Sequence, residues 1–305
     1  MGPRLLAIDV AYAGVNFIDV MARRGDPGYA GSWPFVPGLE ISGTVRQVGD
    51  GVTDFAVGDR VAAFTGSGGL AEVAVVDAGL VVAIPADVSL EVAAAAPGTL
   101  TTAELLVNEF GRLRPGATML VHTAAGGIGQ AVARIAQLSG AQRLIGTVGN
   151  VERVARANEA GYDAVLARGP RLAAEIRELT GGIGVDLVLD PQGTAMLDSD
   201  LEIIAPGGSI ILFGNPAGGP LGSLPETRRL YGANASIRGF SLSSLARTAP
   251  HQIARSLGRV LEHLSAGNLH LTVTVVDHLT AAIDAQQALA EGRGVGKYVA
   301  RIQAT

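Results

Sequence analysis

Hydrophobic residues recur along this chain with two periods, and the change from one to the other divides it. Over the first hundred residues short apolar runs (Leu5 to Ala13, Ile41 to Val48, Arg60 to Phe64, Leu70 to Val76, Leu80 to Ile84) are separated by Gly, Pro and Asp. Runs of that length bounded by turn residues predict β-strands. Leu90 to Ala96 predicts the start of a helix that Pro97-Gly98 breaks. From about Leu100 helical patterns alternate with strands near 117–122, 143–148, 164–166, 185–190 and 209–213, the sequence form of a parallel doubly wound sheet. Further helices are predicted over 251–267 and 279–291, and a closing strand from Lys297 to Ile302. The expected class is α/β, with 1–98 a mostly-β domain, 99–236 the doubly wound sheet, and 237–305 a return to the first domain.

The richest junction is Val121-His122-Thr123-Ala124-Ala125-Gly126-Gly127-Ile128-Gly129. Ala117 to Val121 reads as a buried strand, and Ile128, Val132, Ile135, Ala136 and Leu138 recur at helical spacing. A strand, a Gly-rich turn and a helix in that order present free backbone N–H groups at a positive helix end, which is a seat for pyrophosphate. Gly126 lets the backbone approach the phosphates and Gly129 lets the helix pack on the strand, while Ala124 stands in place of the first glycine of G-x-G-x-x-G. The bland alternative is a glycine turn with no ligand. The next strand favours the ligand: Arg143 to Val148 reads as the second strand of a βαβ unit, and its end, Thr147-Val148-Gly149-Asn150, carries no acid. An acid there would bind the ribose hydroxyls of NAD and repel a 2′-phosphate. Arg153 stands close behind instead, so the pattern favours NADP, with a solvated helix arginine as the other reading of that residue.

Composition removes several classes of function. A length of 305 residues allows two domains, since single cores seldom grow past roughly 250–300 residues. A hydrophobic fraction of 48% supplies ample core. No uninterrupted apolar run approaches the roughly 20 residues of a membrane helix, and no charged-then-apolar segment opens the sequence. A net charge of −5 with dispersed Lys and Arg offers no basic stripe for nucleic acid. The expectation is a cytoplasmic protein acting on a small-molecule substrate, with no nucleic-acid or membrane partner. Zero cysteines exclude disulfides, thiolate nucleophiles and Cys-ligated zinc. None of the five histidines forms an H-x₃-H or H-E-x-x-H pair. His122 ends a predicted strand and is read as a hydrogen-bonded structural residue or a cofactor contact.

Across seven segments the sequence resembles the medium-chain dehydrogenase/reductase superfamily, and within it the zinc-independent quinone oxidoreductase (zeta-crystallin-like) and enoyl reductase branch. The segments that carry the resemblance are Ala13 to Asp19, Pro34 to Glu40, Val57 to Val61, Ala124 to Gly129, Ile145 to Gly149, Phe213-Gly214-Asn215 and Gly296-Lys297. The resemblance implies a GroES-like β domain, a Rossmann domain, a return to the β domain, and bound NADPH. It implies Asn16 near the nicotinamide and substrate carbonyl, and the pyrophosphate on Ala125, Gly126, Gly127, Ile128 and Gly129. Thr147, Gly149 and Arg153 fall at the adenosine 2′-phosphate end, and Phe213, Gly214 and Asn215 along the nicotinamide. Phe240 and Lys297 close the site, or Lys297 is a surface lysine before an edge strand. No metal is expected, because the cysteine of zinc-using relatives falls at Asn16 or a near neighbour and their Gly-His-Glu falls at Gly38-Leu39-Glu40. Glu40 then reads as structural or as a hydrogen-bond acceptor.

The sequence departs from the branch at Met21, Ala103-Glu104 and Ala167, where relatives carry tyrosines, and Arg168 stands beside the last. Relatives also carry about two strands ahead of the segment matching Pro3 to Val10, so either the gene start is displaced or the β-domain edge is altered. The implied activity is NADPH-dependent reduction of a quinone, enone or enoyl thioester. The alternatives are an NADPH-binding homologue with little redox turnover and a redox-neutral cyclase or isomerase. The proton donor stays open among water, Tyr29 and Glu104, the last read either as a buried acid or as a solvated helix residue. A homodimer is expected, with Ser209 to Phe213 and the 214–225 loop at the contact.

Overall fold

The computed structural model describes residues 2–294 and 296–302. The chain divides into two compact units, Met1–Thr102 with Leu242–Thr305, and Ala103–Ser241. The first unit opens with β1 (Leu5–Val15), α1 (Phe17–Arg24), β2 (Glu40–Val48), β3 (Arg60–Phe64), β4 (Val73–Asp77), β5 (Val81–Ala83) and the single turn α2 (Leu90–Ala93). Helix α1 was not expected in a region read as mostly β. Its signals are complete all the same: Asp19 in the first turn, Arg23 and Arg24 in the last, and Gly25 at φ 77° as a left-handed C-cap. Pro97-Gly98 does not break a helix as expected. Both lie within a π-helical turn, Ala96–Leu100, with the proline in its first positions, where its missing N–H costs nothing.

The chain passes into the second unit within α3 (Thr101–Glu104), continues through a π-helical segment, Leu105–Phe110, and then alternates strand and helix. The succession is β6 (Thr118–His122), α4 (Gly127–Leu138), β7 (Arg143–Val148), α5 (Val154–Glu159), β8 (Ala164–Ala167), α6 (Leu172–Leu179), β9 (Val185–Asp190), α7 (Leu197–Ile203), β10 (Ile204–Leu212), α8 (Thr227–Ala233) and β11 (Ser236–Gly239). Its six strands lie in the order β11-β10-β9-β6-β7-β8, every neighbouring pair parallel. That is the Rossmann order, with the topological switch where β6 meets β9. Leu120, Ile145, Val188 and Ile210, one from each of four adjacent strands, form the core with Leu172 and Ile176 of α6. Ser209 to Leu212 is paired on both sides, with β9 and with β11. That strand therefore has no free edge, and the strand edge on that side of the sheet is β11.

The chain returns through α9 (Leu242–Thr248), α10 (Pro250–Ser265), β12 (Val273–Asp277), α11 (Ala281–Ala290) and β13 (Lys297–Arg301). The last two strands complete the first unit's sheet, in the order β12-β13-β1-β2-β3-β5 with β4 also on β1. β13 lies antiparallel to β1, Ala13 facing Ala300. β1 is thus flanked on both sides and forms no open edge. Leu6, Ile8, Val10, Ile41, Val61 and Ala300 pack together as this unit's core. Among the described residues no helix is long and apolar enough to cross a membrane.

Candidate cofactor site and buried charge network

In the second unit the turn after β6 is built by its backbone. Thr123 takes φ 61°, Ala124 N–H donates to Thr147 O at 2.9 Å, and Gly126 N–H donates to Thr123 O at 2.9 Å. Gln192 holds the turn from β9, its amide donating to Thr123 Oγ1 at 2.8 Å. Gly126 is the extended N-cap of α4 and no side chain caps it. The first N–H groups of α4 are therefore left for an anion. A Cβ on Gly129 would come within 2.6 Å of the carbonyl oxygens of Thr123 and Ala124, whereas one on Gly127 would meet nothing within 4 Å. Gly129 is there for packing, and Gly127 faces open space where a phosphate fits. The Tyr162 hydroxyl, kept protonated because burial pushes its pKa up, donates to Gly129 O at 2.6 Å and pins the same turn.

The other expected cofactor residues gather at the carboxyl ends of neighbouring strands. Thr147 ends the pairing of β7 with β6 opposite His122. Gly149 and Asn150 come next, with Asn150 capping the turn that carries Arg153. Arg168, which sequence reasoning did not place in the site, is there as well. Its Nη1 lies 3.4 Å from Thr147 Oγ1, and its Nη2 would be 2.8 Å from a Cβ on Gly149. The signal was available in the parallel register of β7 and β8, which sets Val148 opposite Ala167 and so brings the next residue beside Gly149. Phe213 comes directly after β10 and donates its N–H to Asp190 O at 2.9 Å. Gly214 takes φ 120°, and Asn215 is held by Gly219 O at 2.9 Å. Phe240 belongs to this unit, its ring edge-on to Phe110 at 4.9 Å. Glu104 is buried, against the solvated reading, and accepts from Asn108 Nδ2 at 2.7 Å.

In the first unit Asn16, Glu40 and Lys297 form one closed network. Lys297 is 4% exposed and Glu40 0%, which overturns the surface-lysine reading. Lys297 Nζ pairs with Glu40 Oε1 and donates to Asn16 Oδ1 at 2.6 Å and Val15 O at 3.1 Å. Glu40 Oε1 also accepts from Asn16 Nδ2 at 2.9 Å, and Oε2 from Gly98 N–H at 2.6 Å. A Cβ on Gly14 or Gly98 would stand within 3 Å of the Glu40 side chain, so both positions need glycine. Asn16 also starts α1, its N–H donating to Asp19 Oδ2 at 2.8 Å, while Asp19 Oδ1 accepts from Gly38 N–H at 2.9 Å. Burial raises the Asp19 pKa against these hydrogen bonds. Both Asn16 amide hydrogens are engaged, the second by Gly14 O at 3.3 Å. Tyr29 lies apart from this network and is partly buried; that burial, with Asp26 nearby, raises its pKa.

Zinc does not fit here. Leu39 is apolar, both Glu40 oxygens are taken, and the Lys297 ammonium already supplies the positive charge. A nicotinamide dinucleotide does fit the second unit, because the uncapped start of α4 and the open space at Gly127 form a phosphate cradle.

Comparison with known proteins agrees with this geometry. Residues 2–86 match the profile of the alcohol dehydrogenase GroES-like domain, and residues 127–260 that of the zinc-binding dehydrogenases. Mouse quinone oxidoreductase-like protein 2 is 30% identical over 97% of this chain and 85% of its own length. The zebrafish synaptic vesicle membrane protein VAT-1 homolog is 30% identical over 96% of this chain, which spans 63% of that longer protein. Among solved structures, quinone oxidoreductase of Pseudomonas syringae superposes with a TM-score of 0.87 at 31% identity, covering 98% of this chain and 92% of that one. Escherichia coli quinone oxidoreductase complexed with NADPH gives 0.87 at 26% identity, with 98% and 92% covered. The chain belongs to the medium-chain dehydrogenase/reductase family of oxidoreductases, in its zinc-independent quinone oxidoreductase and enoyl reductase branch.

Proposed function

We propose that this protein is an NADPH-dependent reductase of conjugated carbonyl compounds: quinones, enones or enoyl thioesters. The observation that carries the reading is the uncapped N-terminus of α4 at the switch point of a parallel sheet, and the NADPH complex of the E. coli relative supports it. Bound NADPH supplies a hydride to the electrophilic carbon, and negative charge develops on the carbonyl oxygen. Gly127, Ile128 and Gly129 would hold the pyrophosphate by their backbone N–H groups, with Ala125 and Gly126 shaping the turn beside it. Arg168, with Arg153, pairs with the 2′-phosphate, since a guanidinium matches phosphate geometry. Calorimetric titration tests this: Arg168→Ala should weaken NADPH binding about 10- to 100-fold, the worth of a charge-assisted hydrogen bond, and change NADH binding little. Equal affinities for the two cofactors in the parent protein would sink it.

Tyr29 is the proton donor we favour. A phenol is protonated at neutral pH without any shift, and the Tyr29 hydroxyl has no hydrogen-bond partner among the described residues. Asn16 is a positioning residue, because its amide is spent on Glu40, Gly14 and Lys297. Tyr29→Phe should lower turnover at least about 100-fold, the range of general acid catalysis, with NADPH affinity unchanged. Glu104→Gln should matter much less. Stopped-flow traces of cofactor oxidation in both variants decide between these donors, and equal rates for Tyr29→Phe and the parent remove Tyr29. The engagement of Asn16 also favours a second reading, an NADPH-binding homologue with little turnover.

A homodimer is the assembly we expect. β11 is paired on one side only, and an open edge is an association site. Light scattering should give twice the chain mass at micromolar concentration; a monomer there contradicts the expectation.

A further inference from the structure

The carboxylates of one buried cluster in the second unit take no part in holding the cofactor or in hydride transfer. His122 ends β6, Asp190 ends β9, Thr147 lies near the end of β7, and Asp200 comes from α7. Asp190, Asp200 and Thr147 are 0% exposed and His122 is 1% exposed. His122 Nε2 stands 2.8 Å from Asp200 Oδ1, and Nδ1 stands 2.7 Å from Thr147 Oγ1. Asp190 Oδ1 accepts from Gln192 N–H at 2.7 Å. The remaining oxygens, Asp190 Oδ2 and Asp200 Oδ2, are buried with no hydrogen-bond partner. Each of His122, Asp190 and Asp200 offers one liganding atom, and these lie within 4.8 Å of one another.

Two carboxylates sealed in one apolar unit need a compensating cation, since a buried charge left unpaired is costly. An imidazolium would donate to both Thr147 and Asp200 Oδ1 and offset one carboxylate, yet neither it nor either neutral tautomer reaches the two orphaned oxygens. If Nδ1–H donates to Thr147, the Nε2 lone pair also faces a carboxylate. If Nε2–H donates to Asp200, Asp190 is still without a donor on Oδ2. The nearby Arg168 guanidinium feels the charge of Asp190, but it is directed to Thr147 and hydrogen-bonds neither orphaned oxygen.

We propose that His122, Asp190 and Asp200 bind a divalent cation of the zinc class as a structural ion of this unit. One imidazole and two carboxylates suit zinc, with an orphaned carboxylate oxygen closing the fourth position, whereas magnesium and calcium take six or more oxygens. The charges close: two carboxylates, one neutral imidazole and a divalent ion sum to zero. An outer shell is already in place, with Thr147 on the other ring nitrogen and the Gln192 N–H on Asp190, which is how metal ligands are oriented. Bonds of about 2.0–2.2 Å put tetrahedral ligand atoms roughly 3.5 Å apart, so the close His122–Asp200 pair opens and the widest pair contracts. β6 runs directly into the phosphate turn, so the ion would brace the strand ends that carry the cofactor seat.

The test uses chelator-stripped whole protein titrated with zinc by calorimetry, with thermal melts alongside. The expected result is one zinc per chain and a raised melting temperature. Asp200→Asn and Asp190→Asn should each weaken uptake at least tenfold while the far-ultraviolet circular dichroism stays that of a folded chain. Cobalt loading of the unaltered protein gives a second readout that does not depend on the variants folding, a visible tetrahedral ligand-field spectrum. No uptake and no cobalt spectrum would overturn the proposal and leave a proton shared between the aspartates. Uptake undiminished in a folded variant would overturn it too, by moving the ion to surface histidines.

Discussion

Gly129→Ala should remove measurable NADPH binding and lower the melting temperature together. Its Cβ would stand 2.6 Å from two backbone carbonyl oxygens, Thr123 O and Ala124 O, and neither moves without moving the turn. Overpacking of this kind costs about 1–3 kcal/mol of stability. The larger loss falls on binding, because the displaced turn no longer aims its N–H groups; a hundredfold weaker affinity corresponds to about 2.8 kcal/mol. Gly127→Ala is the matched control. Its Cβ meets nothing within 4 Å, so the fold should be unaffected, within about 0.5 kcal/mol, and any loss of NADPH affinity there reports the space a phosphate fills. Calorimetry and melting curves on both variants separate packing from binding. A Gly129→Ala protein that binds NADPH normally would show that this turn is not the seat.

Lys297→Met should cost about 3–5 kcal/mol, the penalty for stranding one partner of a buried ion pair. Glu40 would be left 0% exposed with hydrogen bonds from Gly98 and Asn16 but no countercharge. Asn16 Oδ1 would lose its donor as well. Combining Lys297→Met with Glu40→Gln should recover part of the stability, since neither charge then remains buried. Denaturant unfolding of the two single variants and the double one completes the cycle. A double variant that loses the sum of the single losses would mean that the pair does not act as one network.

The parallel sheet was legible because strands covered on both faces read as continuous apolar runs, as in Met119-Leu120-Val121 of β6, and because the Gly-rich turn is local in sequence. Helix α1 was equally legible, yet its eight residues sit between strand patterns that dominate the region. β11 and β12 were hidden for a different reason: Ser236–Gly239 is short, mixed and on an edge, and the pattern of Val273–Thr274–Val275 gained meaning only from its register with Lys297–Val299. The site divides in the same way. Gly126 to Gly129 came from spacing, whereas the partners of Lys297 lie at the end of β1, at the start of α1 and on β2, and required the antiparallel closure of β13 on β1. Arg168 needed the β7–β8 register, and the meeting of His122 with Asp200 needed the docking of α7. Contacts set by tertiary pairing leave no periodic trace in either partner's own segment.

The central claim, hydride transfer from NADPH to a conjugated carbonyl, is tested most directly by single-turnover reaction with NADPH carrying deuterium at C4, offered to a panel of quinones, enones and enoyl thioesters. The account predicts cofactor oxidation with at least one class, slowed by deuterium, and for an enone or enoyl thioester the label appearing at the β-carbon. NADPH that binds and is never oxidised by any of the three classes would contradict it and leave the non-turnover homologue as the correct reading.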